Sequence, residues 1–162
     1  MAARTSSSLP EGRRVLLVGS SGGHLAQLWP LRNAWEGAQR TWVTFQTPEA
    51  EALLAEEDRV VWAFHPTTRN IPNLLRNTRL AWQVLRRSRP DVIVSTGAGV
   101  ALPFFVFGRL RRATTVFVEV YDRIETPTLT GRLVRPFASL MMVQWPEQQR
   151  LYRDALVIGP LL

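Results

Sequence analysis

The chain has 162 residues, of which 46% are hydrophobic, enough for one domain with a real core. It has no cysteine, which excludes a disulfide framework, a thiolate nucleophile and a zinc–thiolate site. Its formal charge is +7 and every basic residue is arginine, with ten arginines against the single acid Asp91 between Arg59 and Arg112.

Residues 1–13 read as a disordered head, Ser-rich and polar, without the apolar core of a signal peptide. Val15–Val18 is a wholly apolar run ending in glycine, the pattern of a buried parallel strand. Leu25–Glu36 follows as a helix, Thr41–Phe45 as a strand, and Pro48–Glu57 as a helix whose proline suits its first turn. Val60–Phe64 is a third strand. Ile71–Arg87 carries Ile71, Leu74, Leu75, Thr78, Trp82 and Leu85 near helical period, with Arg76, Arg79, Arg86 and Arg87 on the other face. Asp91–Ser95 is a fourth strand. Val100–Leu110 is a helix that Pro103 and Gly108 are expected to keep from running long and straight. Thr114–Val120 is a fifth strand, Leu129–Ala138 a short helix and Leu140–Trp145 a sixth strand. Pro146–Tyr152 is a helical turn and Leu156–Ile158 a last short strand.

Strands alternating with helices imply an α/β domain, a Rossmann-like parallel sheet flanked by helices. In such sheets a ligand sits at the carboxyl ends of the strands. The loops that matter are therefore those after Val18, Phe45, Phe64, Ser95, Val120 and Trp145. At Gly159-Pro160-Leu161-Leu162 the chain reaches the point where a second domain would begin.

The first of these loops is Gly19-Ser20-Ser21-Gly22-Gly23-His24. Small residues let backbone approach a ligand closely, and amides opening a helix attract anions. The dinucleotide fingerprint is broken by Ser21 and His24, and Thr44-Phe45-Gln46-Thr47 supplies no acid after the second strand, so NAD is disfavoured. The Walker lysine is absent as well. His24 beside the glycines is placed to relay a proton near neutral pH. The fourth-strand loop, Ser95-Thr96-Gly97-Ala98-Gly99, is a second small-residue junction. Each turn has two readings, a close helix–strand packing or a phosphate cradle, and together they suit a diphosphate. Glu119, an acid among apolar neighbours in the fifth strand, either meets an arginine or a backbone cap or touches ligand hydroxyls. No metal cluster is visible and no cofactor is expected.

The arginine surplus of the middle of the chain points to an anionic partner, because guanidinium forks match phosphate. The more ordinary account of arginine in place of lysine is the coding bias of a GC-rich genome. Arg76, Arg79 and Arg86 on one helix, and Arg109, Arg111 and Arg112 beyond Val100–Phe107, form either an ordinary solvated rim or a collar that rests on anionic lipid. The apolar run Val100–Phe107 is far shorter than the ~20 residues a spanning helix needs, so a cytosolic or peripheral protein is expected. Aromatic residues lie in apolar runs rather than among the arginines, which disfavours nucleic acid.

Gly19–His24, Ser95–Pro103, Phe117–Arg132 and Val143-Gln144-Trp145-Pro146, in that order, resemble one family over nearly all of Arg14–Leu162. It is the membrane-anchoring, acceptor-side subunit of the two-chain N-acetylglucosaminyltransferase of dolichol-linked glycan assembly, with a bacterial exopolysaccharide and capsule counterpart of the PssD type. More distantly the chain looks like the amino-terminal domain of MurG, the peptidoglycan-precursor transferase. The resemblance implies the amino-terminal half of a GT-B glycosyltransferase over residues 14–162. It implies a PssE-like partner chain that binds a UDP-sugar, UDP-glucuronate or UDP-N-acetylglucosamine, in a heterodimer. It implies that Gly19, Ser20, Ser21, Gly22, Gly23, Thr96, Gly97, Ala98 and Gly99 lie at a polyprenyl-diphosphate sugar acceptor. His24 and Glu119 are then the candidate catalytic residues. The eukaryotic subunit carries an amino-terminal membrane helix and this sequence shows none, so attachment at the inner face of the plasma membrane falls to the Arg59–Arg112 surface. Two other readings compete: a non-catalytic scaffold that recruits the true transferase to membrane, and a self-contained nucleotide-sugar enzyme.

Overall fold

Arg14–Gly19 (β1) buries all but its first residue, because both faces of a central parallel strand are covered. The computed structural model describes residues 12–162, so most of the expected disordered head lies outside the described residues. Seven parallel strands stand in the order β3-β2-β1-β4-β5-β6-β7. The others are Gln39–Phe45 (β2), Val60–Ala63 (β3), Val92–Gly97 (β4), Thr114–Val118 (β5), Leu140–Val143 (β6) and Leu156–Val157 (β7). The chain winds outward from β1 to β3, returns across the sheet, and winds the other way from β4. The reversal falls between β1 and β4, which pair directly with Val15 opposite Val92 and Gly19 opposite Gly97.

Helices cover both faces. Gly23–Leu28 (α1) and Pro48–Leu53 (α2) close one side, where Leu25, Leu28, Ala50 and Leu54 pack on Leu17, Trp42 and Val94. Ile71–Ser88 (α3), Ala101–Leu110 (α4) and Leu129–Val134 (α5) close the other, where Ala81, Leu85, Phe104, Phe105 and Val134 pack on Leu16, Val43, Ile93 and Phe117. Prolines account for two departures from the expected helices. Pro30 turns the segment after Leu28 into the 3₁₀ helix Trp29–Trp35, and Pro136 does the same at Arg135–Phe137. Pro103 does not break α4, since it occupies the first turn, where no intrahelical donor is required. Nor does Gly108: a Cβ there would come within 2.3 Å of Ile93 Cδ1, so glycine lets α4 lie directly on β4.

The largest correction concerns α3. Ile71, Leu74, Leu75 and Trp82 face outward, with Ile71 70% and Leu75 65% exposed. The polar Asn73 and Asn77 are buried instead, in line with Ala81, Val84 and Leu85. Leu85, expected on the same stripe as the outward residues, is buried, so helical period grouped most but not all of one face. The period does not say which face meets the sheet.

Candidate functional site

The reversal of strand order brings the two small-residue loops together at the carboxyl rim, as the rule for parallel sheets requires. Gly22, at φ 75° and ψ −136°, has a backbone only glycine adopts readily. A Cβ on Gly22 or Gly23 would meet nothing within 4 Å, so both are open to the cleft. At Gly97 the constraint is contact as well as conformation. Its φ is 127°, and a Cβ would stand 2.9 Å from His24 Cε1 and 3.1 Å from His24 Nδ1. The imidazole of His24 therefore lies flat against the second loop. Ala98, at φ 70°, holds a left-handed backbone without being glycine, a strain typical of functional turns.

Thr96 locks His24 from two sides. Its carbonyl accepts from Nδ1 at 2.9 Å, and its hydroxyl donates to the His24 carbonyl at 2.7 Å. A carbonyl only accepts, so in the neutral ring Nδ1 carries the proton and Nε2 the lone pair. That is the tautomer a general base needs. Ser95 Oγ caps the turn by accepting from the Gly97 N–H at 3.0 Å. Gly19, Thr96 and Gly97 are buried, Ser20, Ser21, His24 and Ala98 half-buried, and Gly22, Gly23 and Gly99 exposed.

A third wall comes from the loop after β3. Asn77, 1% exposed, accepts from the Phe64 N–H at 2.9 Å and donates to the Phe64 carbonyl at 2.8 Å, as a neighbouring strand would. Asn73 donates to the Pro66 carbonyl at 2.9 Å. These bonds satisfy the amides that α3 buries and set Thr67 against the second loop, 3.4 Å from where a Gly99 Cβ would lie.

Glu119 sits apart from His24. Its carboxylate has no accessible surface and accepts from the Val120 N–H (3.1 Å), the Thr128 N–H (3.1 Å), the Thr128 hydroxyl (3.0 Å) and the Tyr152 hydroxyl (2.6 Å). Of the two readings open at Glu119, the geometry is that of a cap: it ties the β5 loop to the start of α5. Gly131 makes room, since a Cβ there would approach Tyr152 Oη to 2.1 Å and Glu119 Oε2 to 2.7 Å. Burial, and then the Glu119 carboxylate, push the Tyr152 phenol far above its ordinary value, so it remains a donor.

Three buried glutamines to which the sequence assigned no role join the two halves of the rim. Gln27 of α1 accepts from the Tyr121 N–H at 3.1 Å and from Gln144 Nε2 at 2.6 Å. Gln144 also donates to the Glu119 carbonyl at 3.1 Å. Gln148 accepts from the Gln144 and Trp145 N–H groups and donates to the Val120 carbonyl at 2.8 Å. The one available signal was Gln144 itself, a polar residue directly after an apolar strand; buried polar groups are the informative ones.

Arg76, Arg79, Arg86, Arg109, Arg111 and Arg112 are all exposed, which suits a solvated rim and a collar alike. Arg76, Arg79 and Arg86 lie on α3 with the outward apolar residues, and Arg111 reaches the same surface at Trp82. Trp82 meets Phe107 of α4 edge-on at 5.5 Å, Arg111 covers the Trp82 ring at 4.7 Å, and Leu110 is 75% exposed. Among the described residues, no helix is long and apolar enough to cross a membrane, and no group of His, Asp and Glu could hold a metal.

The family described as "Oligosaccharide biosynthesis protein Alg14 like" matches residues 64–161. The UDP-N-acetylglucosamine transferase subunit ALG14 of Eremothecium gossypii is 28% identical over 180 residues, covering 93% of this chain and 80% of that relative. Its Mus musculus namesake is 24% identical, covering 94% and 84%. The UDP-N-acetylglucosamine--N-acetylmuramyl-(pentapeptide) pyrophosphoryl-undecaprenol N-acetylglucosamine transferase of Syntrophotalea carbinolica is 32% identical over 90 residues, 56% of this chain and 24% of the relative. Among solved structures, Acinetobacter baumannii MurG superposes with a TM-score of 0.72 at 17% identity, covering 91% of this chain but 46% of its own. The fold is thus that of one half of MurG.

Proposed function

We infer from its membership of the Alg14-like family of oligosaccharide biosynthesis proteins, to which this chain belongs, that it is the acceptor-binding subunit of a split glycosyltransferase. Residues 14–162 form its acceptor domain, and a PssE-like partner chain supplies the UDP-sugar. The relatives' names favour UDP-N-acetylglucosamine as the donor to test first, with UDP-glucuronate second. The acceptor is a polyprenyl-diphosphate-linked saccharide destined for exopolysaccharide or capsule. A pyrophosphoryl-undecaprenol substrate in the name of a partial relative supports that class.

One observation carries the reading: His24, beside the open Gly22–Gly23 turn and packed on the Gly97 turn, has its Nδ1 proton committed to Thr96 and its Nε2 free of any partner among the described residues. The amides around Ser21–Gly23 and those of Ala98 and Gly99 face the acceptor diphosphate, while the Gly97 amide is held by Ser95 Oγ. His24 Nε2 takes the proton of the acceptor hydroxyl as that oxygen bonds to the anomeric carbon. The anomeric C–O bond to phosphate breaks with inversion, and UDP leaves with the electron pair on the partner chain. Glu119 holds the rim in shape without touching the reacting atoms.

The outward apolar stripe of α3, with its arginine collar, supports a peripheral seat on the anionic inner face of the plasma membrane. That same stripe favours a second reading, in which the chain only recruits a catalytic partner. His24→Ala separates the two. Assayed with the partner chain and a polyprenyl-diphosphate saccharide, it should lower kcat by about 10²–10⁴ with little change in KM if His24 is the base. Full activity would leave the recruiting role alone.

A further inference from the structure

The opposite end of the sheet holds a basic hollow that acceptor binding does not use. It measures about 490 Å³ and is lined by Arg13, Arg14, Arg89, Arg111 and Arg112, with Asp91 its one acid. Asp91 is already engaged: it accepts from the Arg14 N–H at 2.9 Å and from the Arg14 guanidinium at 3.0 and 3.3 Å. Among the described residues, no carboxylate forms a salt bridge with the other four guanidiniums.

Helix ends explain part of this. Arg89, Arg111 and Arg112 follow the carboxyl ends of α3 and α4, where the helix dipole favours cations. Arg13, however, precedes β1 and belongs to no helix. Arg89 at φ 42° and Arg112 at φ 61° occupy left-handed positions where glycine is the usual choice. Like charges converge on one space, held by backbone that a smaller residue would suit better. Such a hollow gains stability when an anion enters it.

We propose that this hollow binds a phosphate group, gripped by the guanidinium forks of Arg89 and Arg112 with Arg13 and Arg111 beside them. The hollow adjoins the exposed apolar face through Arg111 and Trp82. Its phosphate is therefore either a lipid headgroup or free phosphate from solution, and the two present the same oxygens.

The test is Arg89→Gly/Arg112→Gly, which removes both forks at positions glycine suits, so thermal stability should be kept or raised. Arg132→Gln/Arg153→Gln, two exposed arginines outside both the hollow and the Arg59–Arg112 surface, removes the same charge as a control. In the first arm, inorganic phosphate is titrated while the amides of Ala113 and Thr114 report the hollow and those of Gly22 and Gly23 report the loops. In the second, sedimentation with phosphatidylglycerol vesicles is compared with phosphatidylcholine vesicles. The wild type should show saturable shifts at Ala113 and Thr114, or a preference for phosphatidylglycerol, and the glycine pair should weaken whichever is seen by about tenfold or more while the control changes little. Shifts confined to the loop glycines, or equal losses in the two double variants, would overturn the proposal.

Discussion

Substituting Glu119 tests whether that carboxylate shapes the rim or takes part in chemistry. It serves four donors with no solvent to replace it. In Glu119→Gln, the amide oxygen can keep the Tyr152 hydroxyl and the Thr128 N–H on one side. Its NH₂ then faces the Val120 N–H, donor against donor, while the Thr128 hydroxyl can rotate to accept. One donor is stranded and the charge-assisted bonds weaken, a cost of about 2–3 kcal/mol. Glu119→Ala strands all four and should cost about 4 kcal/mol or more, a large share of the ~5–15 kcal/mol that holds a domain together. Urea unfolding followed by tryptophan fluorescence measures both. Activity of the folded Glu119→Gln protein, assayed with its partner, should remain within severalfold of wild type. A Glu119→Gln protein that is as stable as wild type would refute the clamp. One that folds normally yet loses kcat more than about a hundredfold would return Glu119 to the reaction.

The remaining predictions follow from the same contacts. Gly97→Ala pushes a methyl into the His24 ring and should cut kcat by about a hundredfold through misplacement of the base, with KM for the UDP-sugar unchanged. Ile71→Ser/Leu75→Ser removes two exposed side chains and should weaken vesicle binding about tenfold to a hundredfold, leaving the urea midpoint where it was. The Tyr152 phenol is raised by folding, so its proton stays on in the native state above the pH at which the unfolded chain releases it. That contribution is present below about pH 10 and is lost as pH rises further, so the unfolding midpoint should fall there. Ultraviolet titration in a Tyr121→Phe background should show Tyr152 ionising only as the fold is lost.

Much of the site was legible from residue order alone. Apolar runs punctuated by glycine specify buried parallel strands, because nothing else hides a continuous apolar segment so briefly. Gly22 and Gly97 mark turns that a side chain would strain, and His24 follows the first of them by two residues. An acid in an apolar strand required polar partners at Glu119, from ligand or protein; that they are Tyr152 and Thr128 depends on distant and adjoining segments that no local pattern connects.

Tertiary structure decided the rest, and strand order decided most. Only the return of the chain from β3 to a place beside β1 sets Gly19 opposite Gly97 and lets Thr96 lock the imidazole from across the cleft. The orientation of α3 was settled in the same way. Burying Asn73 and Asn77 satisfies the backbone of Phe64 and Pro66, so the apolar stripe faces outward. A local pattern encodes what each segment favours by itself. Which groups meet depends on non-local hydrogen bonds and packing, and those exist only once the sheet is assembled.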